Sequence, residues 1–498
     1  HMAKTLELHG DRLRLEDVEL VAGEDAPAVR LAEEARPRVE AARAFVERVV
    51  AEGRVVYGIT TGFGALSEVV IPPDRIRELQ LNLIRSHAGG VGEPLSEAET
   101  RAIMLLRANV LALGHSGVRP VIIDTLAEML NRRVHPIIPS RGSVGASGDL
   151  APLSPLALVL IGEGEALLDG ERLPGGEAMR RAGLEPVVLE AKEGLALNNG
   201  TQAHTGLGIL ALLAAERAIE TAEVAGAMSL EGLRGTPDAF DEAIQRVRPH
   251  EGQRTSAARL RALLADSEIR ESHRYDDPRV QDAYSLRCMP QVHGAARQAL
   301  GYIRSVLEVE ANSATDNPLI FPDEERSLSG GNFHGQPIAQ VLDLLAMVCA
   351  DVASISERRI ARLIDPALSS GLPAFLVRDV GVNSGFMIAQ IGAAALVSEL
   401  KQKAHPSSVD SIPTDNNKED HVSMGMGAAL KARDAVRLLE SVLAIELMVA
   451  AQALEFHKPL RPGRGVERAY EIVRSRIAPL ERDRELATDI AAAEALVR

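Results

Sequence analysis

The feature that most constrains the fold of this chain is a long apolar stripe between residues 336 and 362. Its members follow one another at steps of three and four residues, which is the period of one helix face. They are Ile338, Val341, Leu342, Leu345, Val348, Cys349, Val352 and Ile355, and Pro337 suits the first turn of the helix. Residues 386–402 and 421–456 repeat the pattern. Long helices of this kind favour an extended antiparallel bundle.

The first part of the chain has shorter helical patterns separated by loops. Segments 52–66 and 134–155 are the loops richest in Gly and Pro. The string Ile71-Pro72-Pro73-Asp74 predicts that one element ends and a helix begins. Residues 160–190 predict short strands, with a hairpin turn at Leu168-Asp169-Gly170.

Two regions follow from these patterns. We expect an N-terminal region at 3–200 that carries the loops and a long helical bundle region at 201–498. The chain has no Trp and only five Tyr, so Leu, Ala, Val and Ile must fill most of its core. The fold class that we predict is therefore mainly α.

Composition excludes some classes of partner. The 70 Asp and Glu exceed the 55 Lys and Arg, and the net charge of −15 argues against nucleic acid. The two cysteines indicate no disulfide framework. Apolar stretches such as 206–215 are about half of the ~20 residues that cross a bilayer, and we see no signal peptide. We expect a cytoplasmic protein without membrane contact, and we interpret His1-Met2 as a cloning remnant.

The tripeptide Ala146-Ser147-Gly148 could become an electrophile. In a tight bend, the amide nitrogen of Gly148 can attack the carbonyl carbon of Ala146 and close a five-membered ring. Loss of water from the ring and from the Ser147 side chain then gives 4-methylidene-imidazol-5-one (MIO). Glycine permits the unusual backbone that this approach requires. Taken alone, such a tripeptide is most often a turn.

Two further strings carry side chains suited to catalysis. In Tyr57-Gly58-Ile59-Thr60-Thr61-Gly62-Phe63-Gly64, a Tyr begins a glycine-rich loop and could act as an acid or base; a structural turn with a packed Tyr is the alternative. Lowering the pKa of a Tyr to about 7 would require nearby hydrogen-bond donors or positive dipole ends. In Gln281-Asp282-Ala283-Tyr284-Ser285-Leu286-Arg287-Cys288, the guanidinium of Arg287 suits a carboxylate, and Tyr284 shares its helical face.

Together with the MIO string, which runs from Arg141 to Pro155, these strings resemble the MIO-dependent aromatic amino acid lyase and aminomutase family. The resemblance covers about Leu13 to His457. It implies a mainly α fold, MIO as the only cofactor, and a homotetramer in which each active site draws on three subunits. It also implies that Tyr57 is the catalytic Tyr and that Arg287 holds the carboxylate of an amino acid substrate.

The resemblance assigns further residues to the site. Asn199, in Leu197-Asn198-Asn199-Gly200-Thr201-Gln202, would lie beside the MIO ring. Phe333, in Ser329-Gly330-Gly331-Asn332-Phe333-His334-Gly335, would pack near it. Gln281 and Tyr284 would contact the substrate. Alone, the first string reads as a turn and the second as a glycine loop before a helix.

Two positions bear on the substrate. His87, in Arg85-Ser86-His87, resembles the selectivity position of histidine ammonia-lyases, and Glu419 stands where lyases specific for other aromatic amino acids carry Gln. A carboxylate can accept a hydrogen bond or a proton from an imidazole. Singly, His87 reads as an interior histidine and Glu419 as a solvated acid. Residues 415–418 read Asp-Asn-Asn-Lys where histidine ammonia-lyases typically read Ser-Ala-Asn-Gln, and Ser154-Pro155 also departs from the pattern.

The resemblance therefore implies deamination of L-histidine to trans-urocanate and ammonia, with Tyr57 as the base and Glu419 as the rival base. A tyrosine or phenylalanine ammonia-lyase and an aromatic 2,3-aminomutase remain alternatives, and Glu419 argues against both. An inactive helical scaffold is a third alternative, against which the intact Ser147 and Arg287 argue. We expect no required metal, because the sequence has no His-Glu-x-x-His string and no Cys/His cluster.

Overall fold

A computed structural model describes residues 5–498, so the interpretation of His1-Met2 lies outside the described residues. The chain forms two compact units. The first comprises the described residues up to Leu210 together with Arg304–Asp343 and Pro406–Leu430, and the second comprises Ala211–Ile303, Leu344–His405 and Lys431–Arg498. The first unit thus extends to Leu210 and includes two further segments from later in the chain, and the division at residue 200 stays a prediction.

Helices dominate both units, and the predicted mainly α fold class is confirmed. The α-helices of the described residues are α1 (Leu15–Ala22), α2 (Arg36–Ala51), α3 (Ile76–His87), α4 (Glu97–Ala112), α5 (Pro120–Asn131), α6 (Leu150–Leu160), α7 (Gly175–Arg181), α8 (Glu193–Asn198), α9 (Gln202–Gly232), α10 (Glu242–Arg246), α11 (Glu251–Leu263), α12 (Glu268–Ser272), α13 (Tyr284–Arg287), α14 (Met289–Glu310), α15 (Gln336–Ile364), α16 (Met387–Lys403), α17 (Gly425–Glu455), α18 (Arg464–Arg474) and α19 (Leu486–Val497).

Short strands belong to the first unit. They are β1 (Leu6–Leu8), β2 (Val29–Leu31), β3 (Val91–Pro94), β4 (His135–Pro136), β5 (Pro139–Arg141), β6 (Glu165–Leu168), β7 (Glu171–Pro174), β8 (Leu319–Phe321) and β9 (Arg326–Leu328). Strands β1 and β2 pair in parallel, whereas β3–β5, β4–β6–β7 and β8–β9 pair antiparallel. In the β6–β7 hairpin Leu168 pairs with Glu171, and Asp169 and Gly170 form the turn with φ of 51° and 79°. The predicted hairpin is confirmed, since two positive φ angles are what a type I′ turn requires.

The core of the first unit anchors one end of the Tyr57 loop. Apolar residues of α2 recur at helical spacing, and Phe45 is among those that are buried there. Ile59, two residues after Tyr57, is fully buried in the same cluster. The predicted helix start after Pro72-Pro73 is also confirmed, because a 3-10 turn at Pro73–Arg75 leads into α3, whose last residue is His87.

The second unit buries charge as well as apolar surface. Glu446 of α17 is fully buried and accepts hydrogen bonds from Ser229 of α9 at 2.8 Å and from Ser356 of α15 at 2.6 Å. The guanidinium of Arg359, also fully buried, pairs with the same carboxylate. Because a buried charge without a partner is costly, these contacts specify how the three helices pack within this unit.

The stripe predicted at 336–362 forms α15. Seven of its eight apolar members are buried and Ile355 is half-buried.

By length and composition α15 could also cross a membrane, although 56% of its apolar window is buried inside the protein. Asp343 and Asp351 interrupt its apolar run in the sequence. Asp343 is buried and accepts the backbone N–H groups of Ser407 and Ser408.

Candidate active site

The tripeptide Ala146-Ser147-Gly148 lies in a tight bend between β5 and α6. Gly145 and Gly148 have φ of 69° and 70°. The backbone of Gly148 pairs with that of Gly200, and the N–H of Asp149 donates to the carbonyl oxygen of Gly200 at 2.7 Å. A Cβ atom on Gly148 would overlap the backbone atoms of Gly200. Glycine is therefore required here both by φ and by the close approach of a second backbone.

The buried carboxylate of Asp149 stabilises this bend. Asp149 accepts hydrogen bonds from the hydroxyl of Ser143 at 2.8 Å and from the backbone N–H of His204 at 2.9 Å. The Nδ1 atom of His204 lies 2.8 Å from the same carboxylate, and both side chains are fully buried. Burial alone would lower the pKa of His204, but the charge of Asp149 and its hydrogen bond outweigh burial and raise that pKa. The bend thus rests on a buried ion pair that the sequence analysis did not assign.

Asn199 contacts the tripeptide directly. Its Nδ2 atom donates to the carbonyl oxygen of Ser147 at 2.7 Å. Asn199 is 3% exposed, and its Oδ1 atom is buried without a hydrogen-bond partner among the described residues. A buried amide oxygen without a partner is costly unless another donor reaches it. The residues present therefore fit a ring formed at positions 146–148 beside a ligand that offers an N–H group.

Tyr57 lies at the start of its loop as predicted, but its electrostatic surroundings differ from the expectation. The N–H of Gly64 donates to the phenol oxygen at 3.2 Å, and this bond lowers the pKa. Burial is the largest influence and raises the pKa, and the negative charges of Asp415 and Glu419 raise it further. A pKa near 7 would require nearby hydrogen-bond donors or positive dipole ends. Within this chain the pKa is instead raised, because burial of the phenol and the charges of Asp415 and Glu419 outweigh the hydrogen bond from Gly64.

Glu419 reaches the tripeptide from a segment more than 270 residues away. Its Oε2 atom accepts a hydrogen bond from the hydroxyl of Ser147, and its Oε1 atom accepts one from the hydroxyl of Thr414 at 3.0 Å.

His87 is the last residue of α3, and its Nδ1 atom lies 2.9 Å from the carbonyl oxygen of Leu83. Nδ1 also lies 2.9 Å from the hydroxyl oxygen of Ser86. A carbonyl can only accept, so in the neutral tautomer that donates to Leu83 the proton is on Nδ1 and Nε2 is an acceptor.

A cavity of about 1020 Å³ in the first unit brings most of the predicted site together. The predicted residues that line it are Tyr57, His87, Ala146, Ser147, Asn199, Phe333 and Glu419. Gly148 follows directly in the chain and is buried. The volume accommodates an amino acid with an aromatic side chain.

Three predicted residues belong to the second unit and do not line this cavity. Tyr284 and Arg287 form α13, and the guanidinium carbon of Arg287 lies 4.6 Å from the centre of the Tyr284 ring. The prediction that these two side chains share one helical face is confirmed. Tyr284 exposes 70% of its surface. Gln281 lines a separate cavity of about 550 Å³ in the same unit.

The sequence analysis missed residues that support the site. Thr414 donates to the predicted Glu419, and Asp149, which follows Gly148 in the chain, pairs with His204. Asp415 and Lys418 line the cavity. The unusual string at 415–418 was the available signal for the last two. Among residues 5–498, no group of three His, Cys, Asp or Glu side chains is arranged to hold a metal ion. The expectation of no required metal stays a prediction.

The chain is similar to known proteins over nearly its whole length. A family model described as aromatic amino acid lyase matches residues 13–475. A histidine ammonia-lyase of Stigmatella aurantiaca is 58% identical, and the match covers 99% of this chain and 96% of the relative. The crystal structure of histidine ammonia-lyase from Trypanosoma cruzi is 44% identical with a TM-score of 0.92, and the match covers 99% of this chain and 93% of that chain.

A structure with a different activity is also similar. Tyrosine aminomutase from Streptomyces globisporus is 39% identical with a TM-score of 0.94, and the match covers 99% of this chain and 97% of that chain. All of these proteins share the mainly α fold described above. The family model and the full-length relatives lead to one conclusion: this chain belongs to the aromatic amino acid lyase family.

Proposed function

We propose that this chain catalyses the non-oxidative deamination of L-histidine to trans-urocanate and ammonia. The observation that carries the proposal is that Glu419 and His87 line the same cavity as Ser147. A carboxylate and an imidazole suit a substrate whose side chain is itself an imidazole, and they suit a phenyl or phenol ring less well. The 58% identity to a histidine ammonia-lyase, against 39% to a tyrosine aminomutase, favours the same substrate.

The electrophile of this reaction is MIO, formed from Ala146, Ser147 and Gly148. When formed, the ring supplies a methylidene carbon that accepts the substrate amine and makes its nitrogen a better leaving group. The left-handed backbone of Gly148 and its pairing with Gly200 hold the bend in which the amide nitrogen can approach Ala146. Asn199 holds the carbonyl of Ser147 and keeps an acceptor oxygen for the substrate amine.

Tyr57 removes the β-proton of the substrate. The β-proton of histidine is not acidic, so the base must be close and unprotonated. With a raised pKa, only a small fraction of Tyr57 is ionised at neutral pH, but the phenolate is correspondingly more basic. Glu419 remains the rival base, because its carboxylate lies against Ser147.

Glu419 and His87 orient the imidazole of the substrate. A neutral imidazole offers one N–H donor and one acceptor nitrogen, and an imidazolium offers two donors. The carboxylate of Glu419 accepts one donor. The Nε2 atom of His87 accepts the second in the tautomer whose Nδ1–H donates to the carbonyl oxygen of Leu83. Protonation of the substrate ring would also favour removal of the neighbouring β-proton.

Arg287 binds the substrate carboxylate, and Gln281 and Tyr284 lie beside it. We propose that these residues act in a homotetramer in which each site draws on three subunits, with Phe333 packing near the ring. The exposed Tyr284 and the half-buried Arg287 that stacks on it fit such a role. The cytoplasm is the compartment that we propose, since the two thiols, Cys288 and Cys349, are both free.

The test is an ultraviolet assay of the purified chain with L-histidine, L-tyrosine and L-phenylalanine in separate reactions. Chromatography for β-amino acids follows each reaction. Urocanate from histidine alone supports the proposal. Cinnamate or coumarate would assign a phenylalanine or tyrosine ammonia-lyase, and a β-amino acid would assign an aminomutase. The variant Ser147→Ala is the matched control, because it keeps the cavity and cannot form the ring.

A further inference from the structure

The turn from Thr414 to Glu419 is strained. The two end residues pair through both of their backbone hydrogen bonds, at 3.0 and 3.3 Å. Between them Asp415, Asn416 and Asn417 have φ of 50°, 52° and 63°. Three consecutive non-glycine residues in the left-handed region are unfavourable, even though Asp and Asn tolerate it better than most residues. Such a conformation persists only where surrounding contacts determine it, and it is typical of functional sites.

Asp415 makes the contact that this conformation permits. Its Oδ2 atom accepts a hydrogen bond from the N–H of Ala65 at 3.0 Å. The same carboxylate lies directly against Gly64, where a Cβ atom would overlap it. Gly64 has φ of 54° and donates its N–H to the phenol oxygen of Tyr57. A continuous set of contacts therefore joins the strained turn to Tyr57.

We propose that Asp415 is a positioning residue that latches the loop of residues 57–66 and holds Tyr57 in the cavity. The catalytic part of this inference rests on the proposed role of Tyr57 as base. The proposal also explains why residues 415–418 differ from the string that is typical of histidine ammonia-lyases. A serine, which is typical at the first of these positions, has a shorter side chain with one oxygen and no charge. It would not provide the same acceptor for Ala65.

The latch has an electrostatic consequence. The charge of Asp415 adds to that of Glu419 in raising the pKa of Tyr57, after burial as the largest cause. Removing the charge while keeping the acceptor oxygen should therefore favour the phenolate. The other titratable groups that line this cavity are Glu68, His87, His334, Lys418, Asp420 and His421.

Two variants separate the latch from the charge. Asp415→Ala removes both the acceptor and the charge, whereas Asp415→Asn keeps an oxygen for the N–H of Ala65. Asp410→Ala is the control, because Asp410 is exposed, lies outside the cavity lining and contacts its own neighbour Ser411. All proteins are full-length and are checked by intact mass for formation of the ring. The measurements are cleavage by a glutamate-specific protease after Glu68 and kcat/KM for L-histidine against pH.

For Asp415→Ala we expect cleavage after Glu68 to quicken by about 2- to 10-fold, and kcat/KM to fall by a similar factor. For Asp415→Asn we expect cleavage at the unchanged rate. The ascending limb of its profile of kcat/KM against pH should move to lower pH. On the acid side of that limb its kcat/KM should be about twofold higher than that of the wild-type chain. A structural role alone would not move this limb.

Unchanged cleavage and kinetics in Asp415→Ala would overturn the latch, and an unmoved limb in Asp415→Asn would overturn its electrostatic part. If the wild-type chain makes no urocanate, the proposed function fails, while the cleavage measurement still decides whether the latch exists.

Discussion

Replacing Gly148 by Ala tests the structural basis of ring formation. The residue has φ of 70°, and an added Cβ would overlap the backbone of Gly200. Gly200 cannot move away freely, because its carbonyl oxygen accepts the N–H of Asp149 at 2.7 Å. Two costs therefore combine in this variant, one from the backbone conformation and one from the overlap.

The magnitude follows from these two terms. The left-handed conformation costs Ala about 1–2 kcal/mol. Overpacking against a fixed neighbour costs about 1–3 kcal/mol. We therefore expect Gly148→Ala to lower the free energy of unfolding by about 2–5 kcal/mol. Gly170→Ala is the matched control, because Gly170 has φ of 79° and nothing within 4 Å of its added Cβ. It should lose only the conformational term, about 1–2 kcal/mol.

Urea-induced unfolding of both variants measures the difference, and intact mass measures the chemistry. The wild-type chain should weigh about 36 Da less than its sequence, the mass of two waters lost in ring formation. Gly148→Ala should lack this deficit and Gly170→Ala should keep it. The reasoning is refuted if Gly148→Ala loses no more stability than Gly170→Ala, or if it forms the ring normally.

Three further predictions concern single side chains. Ser147→Ala should keep the fold by circular dichroism, lack the mass deficit and lose nearly all turnover, so normal activity would exclude the MIO mechanism. Glu419→Gln should lower kcat/KM for L-histidine by about 10- to 150-fold, the worth of a hydrogen bond to a charged acceptor. An equal loss with L-phenylalanine, which has no ring N–H, would exclude Glu419 as a selectivity residue. The raised pKa of His204 predicts a stabilising contribution that is complete below its unfolded pKa of 6.5 and is lost as pH rises through the folded value. His204→Gln should abolish that part of the pH dependence, measured as unfolding temperature between pH 6 and 9, and an unchanged dependence would contradict the role of the pair with Asp149.

The sequence by itself determined the local elements. The stripe at 336–362 predicted α15, the Asp169-Gly170 turn predicted the β6–β7 hairpin, and the spacing of Tyr284 and Arg287 predicted that they share one helical face. Each of these depends on residues within a few positions of one another, where helix period and turn geometry govern the result. The string proposed to form MIO could be recognised in the sequence for the same reason, since ring formation needs only three adjacent residues.

Only the tertiary structure decided what surrounds that string. The contact between Glu419 and Ser147, the ion pair of Asp149 with His204 and the latch from Asp415 to the Tyr57 loop join segments far apart in the chain. Local patterns carry no information about which distant side chains meet, because packing of the whole unit brings them together. The pKa of Tyr57 illustrates the consequence. The loop sequence shows neither the burial of the phenol nor the two carboxylates near it, and these raise its pKa.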